Sequence, residues 1–267
     1  MNLNTLKLLL PVVAVTIQNN SASTLIPPFL QDLNMPVVAI GTLISLNPIF
    51  ALLSRLPVGM AYRHSRARLL IGVGVIVMGI TNFLYSFVTG SVSFAIVHSV
   101  NGFAYGAVTT LYMAFYVDSL PPEENRNHAM GYYVGTLALG YSTGNFFGGL
   151  IADYLGYRIT FQLAAYLSLL PCFLLWLFNA GEEHGARAGG EKKRAILASR
   201  EIWKALPEPG LAIVVITAFF LNLIHQMGGV FISLYGLAVG MNLTHIGTIR
   251  AAYAGCNAVT RPTADTW

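Results

Sequence analysis

Charge is scarce in this chain. Only 10% of its 267 residues are Asp, Glu, Lys or Arg, where soluble domains carry roughly a quarter. Residues 69–117 contain none of the four, and neither do residues 209–249. Stretches of that kind exclude an ordinary water-facing surface, and because a membrane-crossing helix needs about 20 mainly apolar residues, each run can hold at least one crossing. Cysteine is almost as rare. Cys172 and Cys256 both fall in apolar helix patterns, which excludes a disulfide framework or a cysteine-ligated metal and reads as two buried thiols. Acid is missing from the middle of every apolar run. Asp32 and Asp118 stand at run ends, and Asp153 and Glu208 stand beside loops. No carboxylate is therefore placed to carry a proton across a membrane, which leaves His98 and His225 as the titratable candidates. The zinc-protease pattern H-E-x-x-H is absent too, and neither a metal nor a cofactor is expected.

What is present is apolar and helical. Hydrophobic residues make up 55% of the chain, and the mean hydropathy is +0.63. The pattern predicts an all-α integral membrane protein with helices near 8–30, 37–61, 69–88, 92–117, 129–152, 158–179, 210–238 and 244–262. Lys7, the apolar run after it and Ser21-Ala22-Ser23 could form a cleavable signal. With many further spans following, the run reads as the first membrane helix. Basic residues collect in alternate connections: Lys7, then Arg63, Arg66 and Arg68, then Arg126, then Arg187, Lys192, Lys193, Arg194, Arg200 and Lys204. The opposite side holds Arg158 beside Asp32 and Asp153. The amino terminus is thus predicted on the cytoplasmic side, in a plasma (inner) membrane. The net charge of +4 reports this topology rather than nucleic-acid binding, since the basic residues are scattered and lack interleaved aromatics.

Two segments look like copies of each other. Met35, Ile40, Gly41, Thr42 and Arg55 recur without a gap as Met241, Ile246, Gly247, Thr248 and Arg261. Tandem repeats of multi-helix units are how many transporters are built, with the solute site between the units near the bilayer midplane. The predicted division is a six-helix half over 1–179, a linker over 180–209 and the start of a second half over 210–267. Gly181, Gly185, Gly189 and Gly190 loosen the linker's start, Pro207 and Pro209 end it, and Glu191–Leu206 reads as a surface helix.

Gly59-Met60-Ala61-Tyr62-Arg63-His64-Ser65-Arg66-Ala67-Arg68 resembles the loop between the second and third helices of the major facilitator superfamily. Tyr62 or Arg63 stands where that family's motif has aspartate. His98-Ser99-Val100-Asn101-Gly102 resembles its fourth-helix motif, with His98 at the usual arginine. Pro121-Pro122-Glu123-Glu124-Asn125-Arg126 resembles the next loop. Gly140, Gly144, Gly148 and Gly149, followed by Gly156-Tyr157-Arg158 and Phe161, resemble the fifth-helix motif, with Asn145 where proline is common. The resemblance implies two six-helix halves around a central cavity. The chain therefore reads as one complete half plus two helices, truncated after about eight. A coupling proton is an expectation that comes with the resemblance.

Independently of any family, glycines at 131, 135, 140, 144 and 148 put a side-chain-free face where another helix can approach closely. Gly140-Tyr141-Ser142-Thr143-Gly144 matches the hydrolase pattern G-x-S-x-G. That chemistry needs a strand and a sharp turn before the serine, whereas Met130–Leu139 already reads as helix, so no enzyme is expected.

The site candidates are polar groups inside spans. Gln18, Asn19 and Asn20 occupy the middle of the first helix, with Asn222, His225 and Gln226 at the matching depth of the seventh. Polar side chains there should face other helices or a watery cavity. Arg250 lies deeper than any other arginine and is the expected substrate or counter-charge contact. Arg55 and Arg261, each followed closely by proline, suit a gating or snorkelling role with Gly59, Arg63, Arg66 and Arg68 of the loop motif. The predicted function is transport of a small neutral or amphipathic solute by alternating access, with efflux permitted by the Tyr, Phe and Met content. The partners are the lipid bilayer and that solute. The alternative is a membrane fragment or interaction protein without transport of its own.

Overall fold

A computed structural model describes residues 3–120, 125–178 and 209–264. Side chains at 3–5, at many positions of 209–226 and at 257–264 are not described. The described residues are helical, with α1 at Leu3–Ser23, α2 at Ile26–Asp32, α3 at Val37–Ala61, α4 at His64–Tyr85 and α5 at Ser91–Asp118. Then follow α6 at Arg126–Leu167, α7 at Leu169–Leu177, α8 at Pro209–Ala238 and α9 at Leu243–Ala264. Val37–Ala61, His64–Tyr85 and Arg126–Leu177 are long and apolar enough to cross a membrane, the last with length for two crossings. The linker predicted over 180–209 lies almost wholly outside the described residues.

Three local features refine the expected spans, each with a chemical cause. The first span breaks at Thr24 and Leu25 because Pro27 and Pro28 lack the amide protons that a continuous helix would use. They sit instead in the opening turn of α2, where those donors would be unpaired anyway. The fifth and sixth spans run as one helical element that reverses at Gly156, whose φ of 81° and ψ of 168° suit a residue without a Cβ. The sixth span is interrupted at Ser168, three residues before Pro171, and its hydroxyl donates to the Ala165 carbonyl at 2.6 Å.

Two helix pairs form the core of the first half. α1 lies along α6 and α3 lies along α5, while α4 backs both α5 and α6. Glycine makes each pair possible. A methyl group built on Gly148 would stand 2.8 Å from the Ser21 Cα, and one on Gly144 would stand 2.7 Å from the Ile17 carbonyl oxygen. In the second pair, the equivalent distances are 2.7 Å from Gly102 to the Asn47 Cα and 2.6 Å from Gly106 to the Ala51 Cα. Lipid tails give helices no hydrophobic reason to associate, so contact of this closeness supplies the attraction.

Burial falls into two apolar clusters separated along the membrane normal. One gathers Val15, Val75, Met78, Ala104, Val108 and Tyr116, and the other gathers Ala22, Tyr85, Phe94, Phe161 and Ile246. Large apolar side chains such as Val92, Ile96, Leu52 and Leu169 are exposed on the outer surface, as a lipid-facing surface requires. The expectation of two buried thiols is corrected. Cys172 is half-buried and Cys256 is exposed, because α9 shows its outer face to no other described helix.

Replacing Gly148 with Ala should lower the thermal midpoint of the detergent-solubilised chain, with a cost of about 1–3 kcal/mol for overpacking against backbone. Gly41, which has nothing within 4 Å of its missing Cβ, serves as the control. Gly41→Ala should leave the midpoint unchanged or raise it slightly.

Candidate functional site

The polar residues of the first helix divide into groups with different surroundings. Thr16 donates to the Val12 and Val13 carbonyls at 2.9 Å, Asn20 Nδ2 to the Thr16 carbonyl at 2.9 Å, and Ser21 to the Ile17 carbonyl at 2.8 Å. These groups are satisfied within their own helix. Gln18 is fully buried, and neither its Nε2 nor its Oε1 finds a partner. Asn19 and Asn20 are half-buried, and Gly144 of α6 lies against the Asn20 Cβ.

Between the two apolar clusters the first half carries a polar layer. Asn47 Nδ2 donates to Asn101 Oδ1 at 3.1 Å, and Asn101 Nδ2 donates to the Thr81 hydroxyl at 2.8 Å. The Tyr85 hydroxyl and His98 Nδ1 are 2.7 Å apart, and the His98 ring stacks on Phe94 at 4.8 Å. His98 Nε2 and Asn82 Nδ2 are buried without a partner. Such groups are costly in a low-dielectric interior and mark places where water or a ligand atom would be welcome.

A second constellation, which the sequence did not disclose, sits at mid-span. Tyr105 of α5 and Tyr141 of α6 bring their hydroxyls to 3.1 Å. The backbones of α5 and α6 scarcely approach each other, so long side chains span the space between them. Nearer the carboxyl end of α5, Tyr116 stacks on Tyr133 at 5.4 Å and donates to the Ala129 carbonyl at 3.0 Å. Arg55 is exposed on α3, and the preceding Ser54 lies against Gly106, next to Tyr105. Tyrosine at helical spacing looks the same in sequence whether it fills a core or faces a cavity, so no signal singled these out.

The two predicted halves meet along α6 and α9. Asn145 accepts a hydrogen bond from Thr24 on its Oδ1, and its Nδ2 donates to the Arg250 carbonyl at 3.4 Å. One amide therefore touches the first, fifth and eighth spans. The Ser142 hydroxyl donates to the Ala251 carbonyl at 2.9 Å; this serine is mid-helix and directed at main chain, with no strand or sharp turn before it. A Cβ on Gly149 would stand 3.1 Å from the Gly247 Cα. At the end of the seam Asp153 accepts from the Leu243 and Thr244 amides at 2.8 and 2.7 Å and from the Thr244 hydroxyl. A carboxylate there answers both the unpaired amides and the positive end of the α9 dipole.

Arg250 donates from Nη1 to the Ser233 hydroxyl at 3.3 Å, and its Nη2 lies over Gly229. In the loop motif, His64 stacks on Phe115 at 5.2 Å and the Arg68 guanidinium lies 5.1 Å above the same ring, so stacking and cation–π attraction hold this loop to α5. Arg63, Arg66 and Gly59 are exposed. Asn222, His225, Gln226 and Arg261 lie outside the residues whose side chains are described. The glycines Gly140, Gly144 and Gly148 all face α1, whereas Gly149 faces α9.

Comparison with known proteins agrees with this architecture. The family model for the Major Facilitator Superfamily matches residues 8–265. An uncharacterized MFS-type transporter of Methanocaldococcus jannaschii is 24% identical over 161 residues, which are 58% of this chain and 42% of that protein. The vesicular acetylcholine transporter of Mus musculus is 29% identical over 107 residues, 40% of this chain and 20% of that protein. The matched stretches thus cover less than half the length of either relative. The spans, the glycine-lined fifth helix and a match over almost the whole sequence lead to one assignment: this chain belongs to the major facilitator superfamily, a family of membrane transporters.

Proposed function

We propose that the chain contributes to moving a small amphipathic solute by alternating access, through a cavity between a first half over 1–179 and a second half beginning at 210. The observation that carries this reading is the seam between α6 and α9. Its hydrogen bonds are polar and directional, Ser142 to a carbonyl, Asn145 to a carbonyl and Asp153 to a helix end, and they run beside the buried Leu243 and Ile246. Flanking them is the close approach of Gly149 to Gly247. A seam that joins the two predicted halves through hydrogen bonds and backbone contact at glycine is the place where rocking of one repeat against the other would act.

In this reading Asn19 and Asn20, with Asn222, His225 and Gln226 at the matching depth, line the cavity, and Gln18 supports it from the bundle side. Arg250 supplies a positive charge in the second half. Arg55, Arg63, Arg66, Arg68 and Arg261 act at the cytoplasmic end, and the alternating basic loops favour a cytoplasmic amino terminus in a plasma membrane. His98 and His225 are the proton carriers available if transport is proton-coupled. Export and import both fit this arrangement, and the Tyr, Phe and Met content favours amphipathic cargo. A cationic cargo such as that in the mouse relative's name finds no carboxylate in the middle of an apolar run here to receive it.

The test is water access at mid-membrane. In a background with Cys172 and Cys256 replaced by serine, Asn19→Cys in vesicles should react with a membrane-impermeant thiol reagent. Ile96→Cys, which the fold turns to lipid, should not. Shielding of both positions from either face of the membrane would overturn the cavity reading.

A further inference from the structure

We propose that the Tyr105–Tyr141 hydroxyl pair and Arg55 form a subsite for the anionic group of an amphipathic solute, a carboxylate in its simplest form. The inference rests on the cavity reading above and names the chemistry of its cargo. Three observations carry it.

The first is depth. Tyr105 lies at the middle of Ser91–Asp118, and Tyr141 lies at the middle of the stretch from Arg126 to the reversal at Gly156. Both hydroxyls therefore sit near the midplane, where carriers of this construction hold their solutes. Asn20, on the helix packed against Gly144, is at the same level.

The second is the hydrogen-bond inventory. Two phenols 3.1 Å apart use one O–H between them and leave one O–H to donate elsewhere. That second proton is polarised by the first bond, which makes it a better donor toward a negative acceptor. The neighbouring Thr109 spends its one hydroxyl proton on the Tyr105 carbonyl at 2.9 Å and so does not donate to the phenols. Neither phenol is tied to backbone, in contrast to Tyr116, whose hydroxyl is committed to Ala129.

The third is charge. Arg55 stands six residues before the end of Val37–Ala61, about 9 Å inside at the helical rise of 1.5 Å per residue. The residue before it, Ser54, lies against Gly106, the residue after Tyr105. No acid lies inside a span to neutralise it, and Asp118 is thirteen residues along α5 from Tyr105, on the order of 20 Å away. A guanidinium held in the membrane with no counter-ion among the described residues is costly, and an incoming carboxylate would relieve that cost with charge-assisted bonds from the arginine and the free phenol.

The experiment titrates the full chain in detergent with three matched probes: 2-naphthoate, 2-naphthamide and 2-naphthylmethylammonium. The naphthoate should bind tighter than the neutral amide by about tenfold or more, the scale of one charge-assisted hydrogen bond. Arg55→Gln should abolish that preference, and Arg55→Lys should keep part of it. Tyr105→Phe combined with Tyr141→Phe should weaken naphthoate binding while leaving the naphthamide unchanged. Circular dichroism and the thermal midpoint identify variants that fail to fold, and the lysine variant then serves in place of the glutamine one. Equal affinity for all three probes, preference for the ammonium, or an undiminished naphthoate preference in Arg55→Gln would overturn the subsite. Absence of measurable naphthoate binding would do the same. If Asn19→Cys still reacts with the impermeant reagent in that case, the cavity stands and only the anion chemistry falls. If Asn19→Cys is shielded, the cavity itself has failed.

Discussion

Close approach of helix backbones at glycine is the contact from which the rest of this molecule follows. Between apolar helices surrounded by lipid tails no hydrophobic difference remains to be gained, so attraction depends on how many atoms meet at van der Waals distance and on hydrogen bonds between helices. Gly144 and Gly148 bring the fifth span onto the first, and Gly102 and Gly106 bring the fourth onto the second. Each pair is rigid because its backbones are in contact. The space between the pairs is bridged by long side chains instead, and there polar atoms gather.

The same logic explains the placement of polarity. Serine and threonine hydroxyls on packed faces turn back to carbonyls of their own helix, as Thr16 and Ser21 do, and cost the fold little. Amide and imidazole groups cannot be satisfied so locally. Asn47, Asn101 and Thr81 form a chain across three helices, while Gln18, Asn82 and His98 retain buried atoms without partners. That layer separates two apolar clusters, so the first half is oil, polar layer, oil along the membrane normal.

Much of the helix order was legible in the sequence. Charge-free runs marked where helices such as Val37–Ala61 and His64–Tyr85 lie, and the spacing of Gly140, Gly144 and Gly148 named the close-packed face. Helix breaks at Thr24 and Ser168 were less visible, although Pro27, Pro28 and Pro171 carried the reason. The partners of Asn145 were beyond reach. Its position among glycines was noted, but a contact to Arg250, more than a hundred residues away, is set by tertiary geometry alone. Tyr105 and Tyr141 were missed for a related reason. A tyrosine facing a core and one facing a cavity are written with the same letter, and helical periodicity places both on a face without saying what that face meets. The resemblance to a transporter family named the class of machine, while the pairing of the two phenols required coordinates.

Asp153 belongs to the fifth span yet completes the first turn of the eighth. In the alternating-access reading proposed above, parting of this seam would take the acceptor from the Leu243 and Thr244 amides at the same moment that it took the donors from the carboxylate. Neither set can be left bare in hydrocarbon, so water must enter as the helices separate. On that reading wetting and opening of this end would be one event, and a dehydrating surface pressed against it would hold the molecule shut.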